Sequence, residues 1–222
     1  TVSLGGKPDG VDLAVPSREW AEAGVQLPFE LAGGAGEVEA EAFAADGSTL
    51  GRAHREIIRA RAPRLDERPV RLRADGLPVL ADGQVVFPIG LWRSFDNERQ
   101  LAQLAAAGFN VVLAPADVRT MRLLEKHGML AMVNSPDRVP EEAVARTQWK
   151  TTVEEVLSPW RSSPSLLGYY LTDEPLWSGT PLQPLLNAYD FLRRSDPYHP
   201  VWINMAPRGT VWDLTRYNRA CD

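Results

Sequence analysis

The chain has 222 residues, 44% of them hydrophobic, and a formal net charge of −5. That apolar content supplies a core and argues against disorder. The acidic balance argues against nucleic acid as a partner, because phosphate binding needs a basic face. No run approaches the ~18 consecutive apolar residues of a membrane span. No charged-then-apolar leader opens the residues given, so there is no signal peptide to read.

Cys221 is the single cysteine, so no intrachain disulfide is expected and the compartment stays open. His54, His127 and His199 are scattered without metal-ligand spacing, and no metal or other cofactor is expected.

Residues 1–75 read as β, a small antiparallel sandwich of immunoglobulin-like or jelly-roll-like type, incomplete at its N-terminus. Leu27–Leu31 is an early strand bounded by Gly33-Gly34. Val38–Ala44 alternates as a strand, Asp46-Gly47 turns, and His54–Arg59 resumes as a second strand. Residues 69–88 form a bridge: Val70–Arg73 alternates, and Asp75-Gly76 and Asp82-Gly83 are turn signals around Leu77–Leu80.

From Val85 the pattern changes to short apolar runs alternating with helical periods. Val85–Trp92 is the first strand. A helix from about Asn97 follows, with Asp96 as N-cap, Leu101, Leu104 and Ala105 on one face, and Gly108 just past its end. Asn110–Pro115 is the second strand; its helix starts near Asp117, carries Val118, Met121 and Leu124, and stops at Gly128. Met129–Asn134 is the third strand. The third helix opens with Pro140 and two acids and buries Val153, Val156, Leu157 and Trp160. Leu166–Leu171 is the fourth strand, followed by a helix with Leu185, Tyr189 and Leu192. Val201–Met205 is the fifth, followed by a helix over about Val211–Arg219.

Five strand–helix units in order predict a parallel α/β sheet with both faces covered. No G-x-G-x-x-G loop follows the first strand, which disfavours a dinucleotide-binding sheet. A (β/α)8 barrel of the TIM type is then expected over residues 76–222. Only its first five βα units are present, against ~250 residues for a closed barrel. The edges of such a half barrel call for the missing C-terminal half or for a second chain closing the sheet.

Barrel chemistry sits at the C-terminal ends of strands. Trp92, Arg93 and Ser94 follow the first strand, Asp117 the second, and Asn134 and Ser135 close the third. Thr172-Asp173-Glu174-Pro175 follows the fourth, with Trp177 beyond it, and Asn204 lies near the end of the fifth. Successive strand residues alternate in direction, so one of the two adjacent carboxylates is expected to face the barrel mouth. A helix cap or a turn accounts for Asp-Glu-Pro as well.

The string Leu166–Pro175 resembles the strand-four segment of retaining glycoside hydrolases of the large (β/α)8-barrel clan, which includes β-galactosidases, β-mannanases and cellulases. Ala106–Val112 resembles the clan's first helix and second strand. Asp82-Gly83-Gln84 with Phe87–Gly90 resembles its barrel entry, which often follows a β-sandwich. The resemblance covers roughly residues 80–222. It implies a glycosidase acting on O-glycosidic bonds of oligo- or polysaccharides, with Glu174 as general acid/base. Asp173 departs from the commoner asparagine, which in the clan bonds the sugar 2-hydroxyl. The clan's nucleophile, a glutamate ending strand seven, falls outside this chain, and a retaining mechanism needs two carboxyls ~5–5.5 Å apart. The chain alone is therefore expected to be inactive.

Seven tryptophans fit a carbohydrate partner, since sugar rings stack on flat apolar faces. Trp92 and Trp177 are candidate platforms; Trp160 and Trp202 read as core. Arg93, Asn134, Asp173 and Asn204 are candidate substrate contacts. An extracellular or periplasmic location is expected. Two other readings stay open: a non-catalytic carbohydrate-binding or scaffold protein with a degenerate barrel, and a different, metal-dependent barrel enzyme.

Overall fold

A computed structural model describes residues 2–4, 7–11, 35–43, 46–58, 63, 68–93, 95, 97–136, 139–140 and 142–222. The chain divides into two units, Thr1–Arg61 and Ala62–Asp222.

In the first unit, β1 (Val2–Leu4), β2 (Lys7–Val11), β3 (Ala35–Phe43) and β4 (Thr49–Ile58) form an antiparallel sheet in the order β2-β1-β3-β4. The predicted hairpin is there, with Glu39 opposite His54 and Phe43 opposite Thr49. Asp46 nucleates its turn: its Oδ1 accepts from the Ser48 amide at 2.9 Å and the Ser48 hydroxyl at 2.6 Å. The sequence does not announce these first two strands: β1 has only three residues, and the Lys-Pro-Asp-Gly of β2 has poor strand propensity. The predicted strand Leu27–Leu31 lies outside the described residues.

The second unit begins with a hairpin of β5 (Arg71–Leu72) and β6 (Pro78–Val79). Here the sequence reading of Val85–Trp92 as one strand needs correction. Val85 forms an antiparallel bridge to Val79, and the Val86 amide donates to the Pro78 carbonyl at 2.9 Å, so this part extends the hairpin. Only Gly90–Leu91 joins the main sheet, as β7. The Asn110 side chain substitutes for ladder pairing in between, accepting from the Ile89 amide at 2.7 Å and donating to the Phe87 carbonyl at 2.9 Å.

After β7 come α1 (Glu98–Ala106), β8 (Val111–Ala114), α2 (Val118–His127), β9 (Leu130–Asn134), α3 (Ala143–Leu157), β10 (Leu166–Asp173), α4 (Leu182–Ser195), β11 (Val201–Asn204) and α5 (Val211–Tyr217). All five strands are parallel, in the order β11-β10-β9-β8-β7. Caps explain several boundaries. Asn97 caps α1 by accepting from the Arg99 amide at 2.9 Å, in place of the predicted Asp96, which lies outside the described residues. Asp117 caps α2 through the Thr120 amide at 2.8 Å, and Gly128 ends that helix in the left-handed conformation at φ 62. Helix α3 starts later than predicted: Pro140 precedes it and Glu142 is its N-cap, without a side-chain cap bond.

Burial separates the two faces of the sheet. Val112, Ala114, Ala131, Val133, Tyr169 and Leu171 pack with Leu101, Leu124, Val153, Leu157, Trp160, Leu185 and Leu192 of the helical layer. The predicted helix faces hold, except that Val118 is 44% exposed. On the other face Val111, Leu130 and Leu167, near the strand starts, pack with Val70, Leu80, Val86, Met132 and a partly buried Trp202. The hairpin segment thus plugs the N-terminal end of the inner face and leaves its C-terminal end for the site.

Candidate active site

Strand β10 is irregular in two places, and the irregularities aim its side chains. Its register shifts between Leu166 and Gly168 against β9, and between Tyr170 and Thr172 against β11. Simple alternation would put Tyr170 and Asp173 on opposite faces. With an extra residue between them, both turn to the inner face, as bulges near sites commonly arrange. The Tyr170 hydroxyl donates to Asp173 Oδ1 at 3.3 Å, and the Asn204 side-chain amide donates to the same oxygen at 2.8 Å. Asp173 and Asn204 are register partners. Two of the sequence candidates are therefore brought together.

Trp92, at the end of β7, joins them from across the sheet. Its ring lies 4.5 Å from that of Tyr170, edge to face at 88°. Strands β7 and β10 are three spacings apart, about 14 Å in a flat sheet. Contact over that span shows the inner face curling inward. Trp92 keeps 51% of its surface exposed. Asn134 sits opposite Tyr170 in the β9–β10 register and is exposed. Arg93 is exposed, and its side chain has no ion-pair partner among the described residues.

In the sequence Tyr170 stands only as part of an apolar run. Burial, then the negative charge of Asp173 and of Glu174, holds its phenol above the ordinary range. It therefore keeps its proton and acts as a donor beside two carboxylates. A tyrosine three residues before a strand-end acid was the available signal, but only the bulge makes the pair meet.

Glu174 follows immediately. It is the one non-glycine residue with positive φ among the described residues, at 40°. Its amide donates to the Asn204 carbonyl at 2.9 Å, and its carbonyl accepts from the Ser178 amide at 2.9 Å. Such a backbone costs about 1–3 kcal/mol and persists only where the surroundings dictate it. The residue is half-buried.

The next loop is tied to the loop after β11. Tyr217 of α5 donates to the Thr180 carbonyl at 2.6 Å. Gly209, at φ 91, approaches so close that an added Cβ would lie 2.7 Å from Leu176 Cδ2. The Arg208 guanidinium lies 3.9 Å from the Trp177 ring centroid, while Trp177 remains 63% exposed. Trp177 belongs to this rim, and among the described residues no ring contact or hydrogen bond joins it to the Trp92–Tyr170–Asp173–Asn204 group.

Among the described residues no cluster of His, Cys, Asp or Glu has the makings of a metal site, and no helix is long and apolar enough to cross a membrane.

No protein-family model matches the chain. No curated protein matches it in sequence. Solved structures do match in fold. A glycosyl hydrolase family 2 member from Bacteroides cellulosilyticus superposes with a TM-score of 0.52 at 16% identity, over 85% of this chain and 26% of that one. Bacteroides uniformis β-glucuronidase 3 gives 0.51 at 16%, over 85% and 25%. Parabacteroides merdae β-glucuronidase gives 0.53 at 12%, over 85% and 25%. The chain thus spans about a quarter of the length of these structures, and its second unit is a partial TIM-like α/β fold of the kind found in glycoside hydrolases.

Proposed function

We propose that this chain carries the acid/base half of a retaining glycoside hydrolase acting on O-glycosidic bonds, with Glu174 as the general acid/base. The observation that carries the reading is the strained, doubly anchored backbone of Glu174 at the C-terminal end of β10. Strain of this kind concentrates where a side chain must be held for function. The position is also the one where parallel barrels place their chemistry.

In this reading Glu174 protonates the leaving-group oxygen as the glycosidic bond breaks, then takes a proton from the water that releases the glycosyl intermediate. The nucleophile comes from a strand beyond β11. Asp173 cannot supply it, because Asn204 and Tyr170 already engage one of its oxygens and the backbone ties it to Glu174. Tyr170, Asp173 and Asn204 form a polar floor for sugar hydroxyls, with Asn134 and Arg93 at the edge and Trp92 as a wall. The same locked Asp173 favours a second reading, a carbohydrate-binding barrel without catalysis.

The test uses the parent protein carrying the strands that complete the barrel. Glu174→Gln is expected to slow hydrolysis of alkyl glycosides by about 10²–10⁴-fold. Dinitrophenyl glycosides, whose leaving group needs no proton, are expected to keep a near-normal glycosylation burst. Equal activity of the variant and the parent on alkyl glycosides would refute the assignment and leave the binding reading.

A further inference from the structure

The rim holds a pair that the acid/base chemistry does not use. Arg208 lies over one face of Trp177, and both side chains are exposed. Among the described residues Arg208 has no carboxylate partner. The two residues come from different loops, and those loops are fastened by the Tyr217–Thr180 bond and the Gly209–Leu176 contact. The Glu174–Asn204 backbone bond fastens the same two loops at the site itself. The pair therefore sits where two loops fastened to each other meet, one of them following Glu174 directly.

Stacking on an indole fixes a guanidinium but leaves its N–H edge free to hydrogen-bond. That edge matches a carboxylate or sulfate through two parallel bonds. The part of Trp177 that Arg208 does not cover is a surface of the kind on which a pyranose stacks. An exposed arginine held this way, with no acid to neutralise it among the described residues, selects for charge on the sugar.

We infer that Trp177 and Arg208 form a subsite for an anionic sugar unit, a pyranose bearing a carboxylate or a sulfate. Arg208 is its specificity-determining residue. This rests on the carbohydrate reading above and deepens it by naming the substrate class.

The test is a titration of the ¹⁵N-tryptophan-labelled parent protein carrying the strands that complete the barrel, following the Trp177 indole N–H signal, which is assigned with Trp177→Phe. The probes are methyl β-glucuronide, methyl β-glucoside 6-sulfate and methyl β-glucoside at matched ionic strength. At least one anionic probe is expected to bind about tenfold tighter than the neutral glucoside, a modest ratio because the site is open to water. If both do, the subsite reads charge; if only the uronide does, it reads the planar carboxylate. In Arg208→Gln the anionic-to-neutral ratio is expected to fall to about one, and Arg208→Lys to fall between.

Equal affinities in the parent, a preference that survives Arg208→Gln, or no shift with any probe would each overturn the inference. The titration does not depend on Glu174 chemistry. A ratio of one alongside an intact Glu174→Gln leaving-group effect defeats the subsite alone. A retained ratio without that effect defeats the hydrolase and leaves an anionic-sugar binder.

Discussion

Replacing Glu174 with glycine should make the protein more stable while removing its proposed acid/base. At φ 40 the Glu174 Cβ crowds its own backbone. Pro175 further restricts the residue before it. The two backbone bonds that hold the residue, to Asn204 and from Ser178, involve no side-chain atom and survive any substitution. Glycine releases a strain of about 1–3 kcal/mol and costs up to ~1 kcal/mol in unfolded-chain entropy. The net gain is about 1 kcal/mol, or ~2–4 °C in melting temperature at this size. Glu174→Ala is the control: it removes the same carboxylate but keeps the Cβ. Urea unfolding followed by tryptophan fluorescence reports the relevant unit, since every tryptophan except Trp20 lies within 62–222. If Glu174→Gly is no more stable than Glu174→Ala, the backbone there is unstrained, and the observation on which the functional reading rests is gone.

Asp196 tests the underside of the same strand. It is buried, which raises its pKa. Hydrogen bonds from His199 at 2.8 Å and Tyr169 at 2.5 Å outweigh that and hold it below the ordinary carboxylate range. A depressed carboxylate stabilises above its unfolded value of ~3.9 and loses that contribution as pH falls through the lower folded value. Melting temperature should therefore drop steeply below about pH 4, and Asp196→Asn should flatten that limb while lowering the plateau; a parallel pH profile for the variant would contradict this. Gly168→Ala should destabilise by about 1–3 kcal/mol, because its Cβ would meet the Pro200 carbonyl and lie 2.7 Å from the Trp202 ring. An unchanged urea midpoint would show that β10 and β11 are not packed as described.

Periodicity and the glycine stops carry most of the second unit. The start of α2 near Asp117, the Gly128 stop and the buried faces of α3 and α4 are all legible, because each is a local pattern with a local cause. What escaped depends on partners distant in sequence. His199, between prolines, reads as loop, yet it is buried and bonds Asp196 and the Arg68 carbonyl, 131 residues away. Val85 and Val86 have the composition of a core strand, and only their pairing with Pro78 and Val79 shows that they belong to the plug. At the site, strand-end position points to Asp173, Asn204 and Trp92, and the resemblance points to Asp173 as well. The bulge that joins Asp173 to Tyr170 leaves no trace in composition, nor does the stacking of Arg208 on Trp177. The positive φ of Glu174 was likewise invisible, since glutamate is not a residue that announces that conformation.

The central claim, that Glu174 is a general acid/base, is tested most directly by chemical rescue of Glu174→Gln in the parent protein. Azide needs no base to attack the glycosyl intermediate. It forms a C–N bond at the anomeric carbon as the bond to the enzyme carboxylate breaks. With a dinitrophenyl glycoside as substrate, added sodium azide is predicted to raise steady-state turnover of the variant. The product is predicted to be a glycosyl azide of the substrate's own anomeric configuration, read by proton NMR. No rate increase and no glycosyl azide would contradict the account.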